Sequence, residues 1–327
     1  MEKIIFFNNK GGVGKTTLVY HFTYMMAELG YRCLAVDLDP QANLSSMFLT
    51  EEQLERIYGK EKDRETLISG IKPLDRGIGD IAEVKIHKIG TNIGLLAGDL
   101  DLSLFEDKLS ANWSKCIDGD EAAFRIVSAF HRIIQSASER FGADYCIIDV
   151  GPNFGAINRA TLISADYVVV PMAADLFSLQ GLKNLGTRFK IWKKEWADRL
   201  ARSCVPDLSL PKSEIKPLGY VVMQHGIKEK RPVLSYLKWA NRIPSYFKKY
   251  VLDKPEEAVT KVENDINCLA LLKHYHSLIP MAMEVRKPIF LLKPADGAIG
   301  AHFQAVQRAY EDFKLLSQKI VGKIHEV

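Results

Sequence analysis

"KIIFFNNKGGVGKTTL", residues Lys3–Leu18, decides the fold of this chain. It opens as a short apolar run, the form taken by a strand buried on both faces of a parallel sheet. The remainder follows the phosphate-binding pattern G-x-x-x-x-G-K-[ST], closed by Gly14, Lys15 and Thr16, except that Asn9 stands where the first glycine belongs. A second lysine, Lys10, sits just inside the loop. Beyond it Leu18, Phe22, Met25, Met26 and Leu29 recur at helical spacing until Gly30 supplies a stop. "RCLAVDLD" (32–39) then reads as a second strand. Strand, glycine loop, helix and strand within about forty residues form a βαβ unit, the context that makes the motif a credible site.

Each residue of the loop has a physical role in such a site. Backbone N–H groups of Gly11, Gly12, Val13, Gly14 and Lys15 converge on phosphate oxygens, because glycine permits the dihedrals and the close approach, and the following helix presents its positive end. Lys15 is expected to reach the β- and γ-phosphates, Thr16 to ligate Mg²⁺ through its hydroxyl, and Thr17 to hold the α-phosphate. An acidic partner for the metal is expected at the end of a neighbouring apolar strand. "YCIID" supplies it as Asp149, with a helix N-cap as the competing role. In "VDLDPQANLSS" Asp37 and Asp39 are two apart and point the same way on an extended chain. Asp39, nearer the phosphate mouth, is expected to position the attacking water or the water shell of the metal; the competing role is a turn at Asp39–Pro40.

Further along, residues 50–91 read as a polar, irregular excursion with an exposed helix in "EEQLERIYGKEKDRE" and turns near Gly77 and Gly79. "IGLLA" (93–97) resumes strand character. Phe124, Val127, Phe130, Ile134 and Ala137 mark one long amphipathic helix ending near Gly142. "YCIID", "DYVVVP" and "LGYVVM" are three more strands, and "AIGAHFQAVQRAYEDFKLLSQKI" a closing helix. This alternation implies an α/β fold, a doubly wound and mostly parallel sheet with helices on both faces and its ligand at the carboxyl ends of the strands. A single domain spanning 1–327 is expected.

The composition, 47% apolar and 26% charged, excludes a disordered chain or a fibre. Five scattered cysteines with no C-x-x-C pair indicate neither a disulfide framework nor a zinc or iron–sulfur site. No apolar run reaches the roughly 20 residues needed to cross a bilayer, and the expected compartment is cytoplasmic. Charge is uneven: between Lys183 and Lys254 there are seventeen Lys and Arg against six Asp and Glu, although the whole chain carries only +4. The basic candidates are Arg188, Lys190, Lys193, Lys194, Arg199 and Arg202 on one helix, and Lys228, Lys230, Arg231, Lys238, Arg242, Lys248 and Lys249 beyond it. Trp192, Trp196, Trp239, Tyr246 and Phe247 lie among them, for stacking on bases or, more ordinarily, for packing. His274 and His276 lack a third ligand nearby, and no metal is assigned to them.

Taken in order, "KGGVGKTT", "DLDPQANLSS", "IIDVGPN" and "ADYVVVPMAADLFSLQGL" resemble the ParA/MinD superfamily of deviant Walker A ATPases, in particular ParA/Soj-type partition proteins. The resemblance implies a P-loop NTPase of three αβα layers that binds ATP with Mg²⁺. It gives Lys10 the part of the signature lysine, which reaches across a homodimer to the ATP of the other subunit, and assigns hydrolysis to Asp39 and Mg²⁺ through water to Asp149. It places Met223, Gln224 and the "LIPMAM" segment around Pro280 at the adenine. It implies slow hydrolysis stimulated by a ParB-like or other activating protein, non-specific DNA binding and nucleoid association, with positioning of a protein cargo or defence assembly as the alternative. Two departures stand out. Gly151 in the V-G-P segment is expected to loosen that loop, and the variable stretch at about 226–277 is long. With the chain starting at its first strand, DNA contact is expected from the ATPase body. Leu316, Ile320 and Ile324 form a stripe suited to a membrane surface, but packing on the sheet is the expected role.

Overall fold

Eight strands form one sheet: β1 (Glu2–Phe6), β2 (Cys33–Asp37), β3 (His87–Lys88), β4 (Ile93–Leu96), β5 (Tyr145–Asp149), β6 (Tyr167–Ala173), β7 (Lys216–Met223) and β8 (Cys268–Leu272). The computed structural model describes residues 1–59, 64–223, 232–255, 260–273, 275 and 277–326. The strand order is β3-β4-β2-β5-β1-β6-β7-β8, parallel throughout except for the β3–β4 pair. β1 sits centrally between β5 and β6, so the loop leaving it opens where the winding reverses, the place where sheets of this kind take ligands. The register carries the chemistry: Phe6 pairs with Asp149, and Asp149 with Asp37, so the carboxyl ends of β1, β5 and β2 lie level.

The helices are α1 (Lys15–Glu28), α2 (Asn43–Phe48), α3 (Glu51–Tyr58), α4 (Leu67–Asp75), α5 (Leu102–Lys115), α6 (Glu121–Val127), α7 (Ala129–Phe141), α8 (Ala156–Ser164), α9 (Leu176–Leu200), α10 (Pro232–Ala240), α11 (Ile243–Tyr246), α12 (Leu278–Glu284) and α13 (Ala301–Glu326). Alternation along β1 sends Ile4 and Phe6 to one face and Ile5 and Phe7 to the other. The first face is covered by α1, α2, α12 and α13, the second by α4, α5, α7, α8 and α9. Side chains such as Phe6, Phe22 and Phe130 are fully buried, each stabilising the fold by about 1.5–3 kcal/mol. The doubly wound α/β sheet expected from the sequence is the fold observed.

Four local expectations change. Residues 50–91 contain the expected exposed helix, α3, but are otherwise not an irregular excursion: Leu67, Ile71, Leu74 and Val84 are core residues, and α4 lies within the stretch. The long helix through Phe124 and Ala137 is two helices. Ser128 turns its hydroxyl onto the Phe124 carbonyl at 2.7 Å, and the chain restarts at Ala129. α5 adds a helix where none was expected. β8 pairs with β7 inside the stretch expected to vary at 226–277. Lys228, Lys230, Arg231, His274 and His276 lie outside the described residues.

The closing helix packs on the sheet, as the more ordinary expectation had it. Leu316, Ile320 and Ile324 are buried, while Lys319 and Lys323 donate to the carbonyls of Cys268 and Leu218 at 2.7 and 2.9 Å. The lipid-suited stripe is therefore already covered. Among the described residues no helix is long and apolar enough to cross a membrane.

Candidate nucleotide-binding site

The loop after β1 is held from both ends before any ligand is considered. Phe7 keeps pairing with β6 through Val169 at 3.0 Å, and the Asn8 side chain donates to the Pro171 carbonyl at 2.5 Å while accepting Lys10 N–H at 3.0 Å. Positive φ is required only at Gly12 and Gly14, 74° and 84°. Asn9 lies outside that region, so this position has no need of the glycine the pattern would put there. Gly14 is the N-cap of α1 and no side chain caps it, which leaves the first N–H groups of the helix directed into the loop.

Lys15 is buried, and its ammonium pairs with Oδ1 of fully buried Asp149. Burial pushes the Asp149 carboxyl up from the ordinary carboxylate range, and the Lys15 charge opposes that rise. Oδ2 of Asp149 is buried without a hydrogen-bond partner among the described residues. Beside it, Asp37 is pushed up to about 7 by burial and then by the charge of Asp149. Asp37 accepts the Ser45 N–H and hydroxyl at 2.8 and 2.7 Å, which makes it an anchor for α2. Asp39 is set differently from its neighbour. Its Oδ1 accepts the Gln41 N–H at 3.0 Å, and it faces Gly151, where a Cβ would stand 3.6 Å from the same oxygen. Three carboxylates and one ammonium thus crowd the foot of the loop.

The segment after β5, expected to be loosened by Gly151, is held. Asn158 Nδ2 donates to the carbonyls of Gly151 and Asn153, both at 2.7 Å. Glu106, from α5, accepts the N–H groups of Ala156 and Ile157 at the start of α8. Lys10 projects from the loop to the Asp175 carboxylate, and both side chains are about one-third exposed. Asp175 is also the N-cap of α9, accepting the Ser178 N–H at 2.9 Å. Burial works against its charge, but Lys10 and Ser178 outweigh it and hold the carboxyl below its usual range. Asn158, Glu106, Asp175 and Ser45 were not singled out from the sequence. For Asp175 the signal was its place before an apolar-periodic helix.

Two cavities flank α1. The smaller, about 250 Å³, is lined by Gly12, Gly14, Thr17, Met223, Leu272 and Tyr275. Met223, expected near a base, lines it and packs its methyl over Gly14. Gln224 lies outside the described residues. Pro280 falls on the exposed side of α12, whereas its neighbour Ile279 lines both cavities. The larger cavity, about 480 Å³, lies on the α2 side, between Thr16, Asn43, Met283 and Arg286.

The basic residues divide. Arg188, Lys190, Lys193 and Lys194 are exposed on α9, as are Lys238, Arg242 and Lys249 beyond it. α9 packs on residues 247–251 so closely that a Cβ at Gly186 would meet the Tyr250 carbonyl at 1.8 Å, and Lys190 on α9 pairs with Asp253 at 2.5 Å. Arg199 is structural, stacking on Trp113 and donating to its carbonyl at 2.7 Å, whereas Arg202 is exposed and donates to the Ile117 carbonyl at 3.1 Å. Trp192, Trp196 and Phe247 are buried, so they pack rather than stack on bases.

Comparison with known proteins agrees with this geometry. The family model described as "AAA domain" matches residues 1–202. The sporulation initiation inhibitor protein Soj of Bacillus subtilis is 28% identical over 59% of this chain and 67% of its own. Protein DIP2308 from Corynebacterium diphtheriae superposes with a TM-score of 0.71 at 24% identity over 100% of this chain and 99% of its own. A putative plasmid partition protein from Borrelia burgdorferi bound to AMPPNP gives 0.58 at 17% identity over 98% and 99%. The chain spans about half the length of the first curated relatives it matches, 45–60%. Level strand ends, a glycine loop closed by Lys15, the added Lys10 and the match over residues 1–202 together make this chain a member of the AAA-domain family, within the ParA/MinD superfamily of deviant Walker A proteins.

Proposed function

We propose that this chain is a Mg²⁺-ATP-dependent switch that dimerises around its nucleotide, hydrolyses ATP slowly until a separate partner stimulates it, and holds DNA without sequence preference, as in plasmid or chromosome partition. The observation that carries this reading is the Lys15–Asp149 pair at the foot of the glycine loop, with Asp37 and Asp39 beside it and Lys10 directed away to the surface.

The residues fit a hard divalent cation. Thr16, Asp39 and Asp149 offer only oxygen, and the partnerless buried Oδ2 of Asp149 suits a metal-bound water. Among the described residues no three His, Cys, Asp or Glu side chains form a cage of their own. A Mg²⁺ there would be shared between one hydroxyl, waters and phosphate. The ion, when bound, would offset the negative charge of the phosphates. The chain does the rest: N–H groups of Gly11–Lys15 cradle the phosphates, Thr17 holds the first of them, and Lys15 turns from Asp149 to the transferring group. Asp39 orients the attacking water. Lys10, brought by a second copy, stabilises the charge that builds on the transferring group, so hydrolysis depends on assembly. The exposed lysines and arginines of α9 and the 238–249 segment neutralise nucleic-acid phosphates through counterion release.

The test is retention on arbitrary-sequence DNA with ATP, with ADP and without nucleotide, over a salt series. Retention confined to the ATP state and weakened by salt supports the reading. Lys10→Ala should bind ATP and fail to hydrolyse it on assembly. An ATP-bound chain that ignores DNA but captures a protein cargo would favour the alternative role.

A further inference from the structure

The chain leaving α12 ties together elements on both sides of the candidate site. Arg286 has φ 50°, a left-handed conformation that a side chain of this size rarely adopts. Its Nη1 donates to the carbonyl of Leu49 and, at 3.4 Å, to that of Ser46, at the carboxyl end of α2, and Glu51 lies 3.6 Å from its Nη2. A guanidinium there satisfies carbonyls that the helix leaves open and meets the negative end of its dipole. The Arg286 carbonyl accepts the Tyr20 hydroxyl from α1 at 3.3 Å. Three residues on, the Ile289 N–H donates to His21 Nε2 at 3.1 Å. Residues 285–289 thus form a strap across α1 and α2.

Each end of the strap leads to the candidate site. α2 is fastened at its start to Asp37 through Ser45, whose hydroxyl also accepts the Gly98 N–H at 2.9 Å. α2 follows the Asp39–Ala42 turn directly, and that turn is closed by Ala42 N–H on the Asp39 carbonyl at 2.8 Å. Asp37 holds α2 at one end and Arg286 at the other, so a displacement of the strap is passed through α2 to the Asp39–Ala42 turn. In the other direction, α12 starts just past β8, where Leu272 and Tyr275 line the smaller cavity beside Met223. The connected path runs from that cavity through α12, Arg286 and α2 to Asp39.

We propose that Arg286 is a positioning residue: by fixing α2 it carries occupancy of the cavity beside β7 and β8 to Asp39, so that a triphosphate bearing a base turns over faster than one without. This rests on the ATPase reading above. The probes are ATP, which fills both the phosphate loop and the cavity, and inorganic tripolyphosphate, which fills the loop alone. Single-turnover hydrolysis of each, at saturation, is compared for the wild-type chain, Arg286→Ala, Arg286→Lys and Tyr20→Phe.

Losing a charged hydrogen bond at the strap should lower the ATP rate of Arg286→Ala about tenfold, toward its tripolyphosphate rate, with ATP affinity within about twofold of wild type. Arg286→Lys should recover part of the ratio, and Tyr20→Phe should reduce it without removing the side chain. A merely structural arginine would lower both rates together. An unchanged ratio in folded Arg286→Ala overturns the proposal; if that variant does not fold, an unchanged ratio in both Arg286→Lys and Tyr20→Phe does so. A wild-type chain that hydrolyses neither probe overturns the ATPase reading, and the coupling falls with it. A wild-type chain that hydrolyses both at one rate overturns the coupling alone.

Discussion

Lys10 and Asp175 form an ion pair within one chain although 165 residues separate them in sequence. A lysine engaged at home is not available to a second copy, so the pair opposes the assembly in which Lys10 is proposed to act. Both side chains are partly exposed, and such pairs contribute about 0.2–1 kcal/mol. Asp175→Asn keeps an acceptor for the α9 N-cap and removes the charge. It should lower the protein concentration needed for dimerisation with a slowly hydrolysed ATP analogue by about two- to fivefold, read by sedimentation velocity. An unchanged dimerisation curve would mean that the pair does not restrain assembly.

The Lys15–Asp149 pair has the opposite character, because both partners are buried. Removing one leaves the other charge without compensation, which costs about 3–5 kcal/mol. Lys15→Met should therefore lose nucleotide affinity and also lower the urea midpoint of the ligand-free chain. Lys15→Met combined with Asp149→Asn should regain most of the stability and none of the binding. If the single variant were as stable as wild type, the buried pair would not be present in solution.

Asp37 and Asp39, two residues apart, should separate cleanly under substitution. Asp37→Ala orphans the buried Ser45 N–H and hydroxyl, a loss of about 1–3 kcal/mol in stability. Asp39→Ala removes one hydrogen bond to a turn and should change stability by about 0.5 kcal/mol or less, while blocking hydrolysis and accumulating the ATP-bound dimer. Thermal unfolding without ligand and ATP turnover measured on the same samples check both halves. Equal loss of stability in the two variants would contradict the division of roles.

The glycine loop and its flanking strand and helix could be read from residues 3–39 because the apolar period changes from a continuous run to helical spacing at Leu18, with glycines at the change. The polar reading of residues 50–91 passed over α4, where Gly70 is a packing contact, a Cβ there standing 2.4 Å from the Val84 side chain, and Pro73 falls in the last turn of the helix. For α5 the sequence does carry a signal, the helical spacing of Leu102, Phe105, Leu109 and Trp113, all of them buried. β8 is a five-residue apolar run, CLALL, of the same length as β1, so its signal was present in the sequence although the basic, aromatic-rich stretch before it reads as a variable region. Around the site, Lys15, Thr16 and the two strand-end aspartates were legible because motif and strand end coincide. The Lys10–Asp175 pair and the hold of Glu106 on the start of α8 were not, since those partners lie 165 and about 50 residues apart and only the folded chain brings them together.

His21 gives a pH dependence whose sign is set by its hydrogen bonds. The Ile289 N–H must donate to Nε2, so the proton sits on Nδ1 and is donated to the Thr17 carbonyl at 2.7 Å, which makes the ring neutral. Burial lowers its pKa from 6.5 to about 4. His131 is lowered further, to about 3, by burial and then by the charges of Lys3 and Arg132. In the unfolded chain both histidines take up a proton as pH falls through about 6.5. The folded chain takes up neither until near pH 4, so the two histidines withdraw stability as pH falls between 6.5 and 4, whereas Asp37, raised to about 7, adds stability over the same range because the folded chain takes up its proton first. Each histidine should contribute a slope of about 1.4 kcal/mol per pH unit well below 6.5. His131 is remote from the nucleotide loop, so His131→Asn should flatten the dependence of the urea midpoint between pH 6 and 4.5 without altering nucleotide binding at pH 7.5. A midpoint that falls just as steeply in the variant would place the proton uptake at other groups.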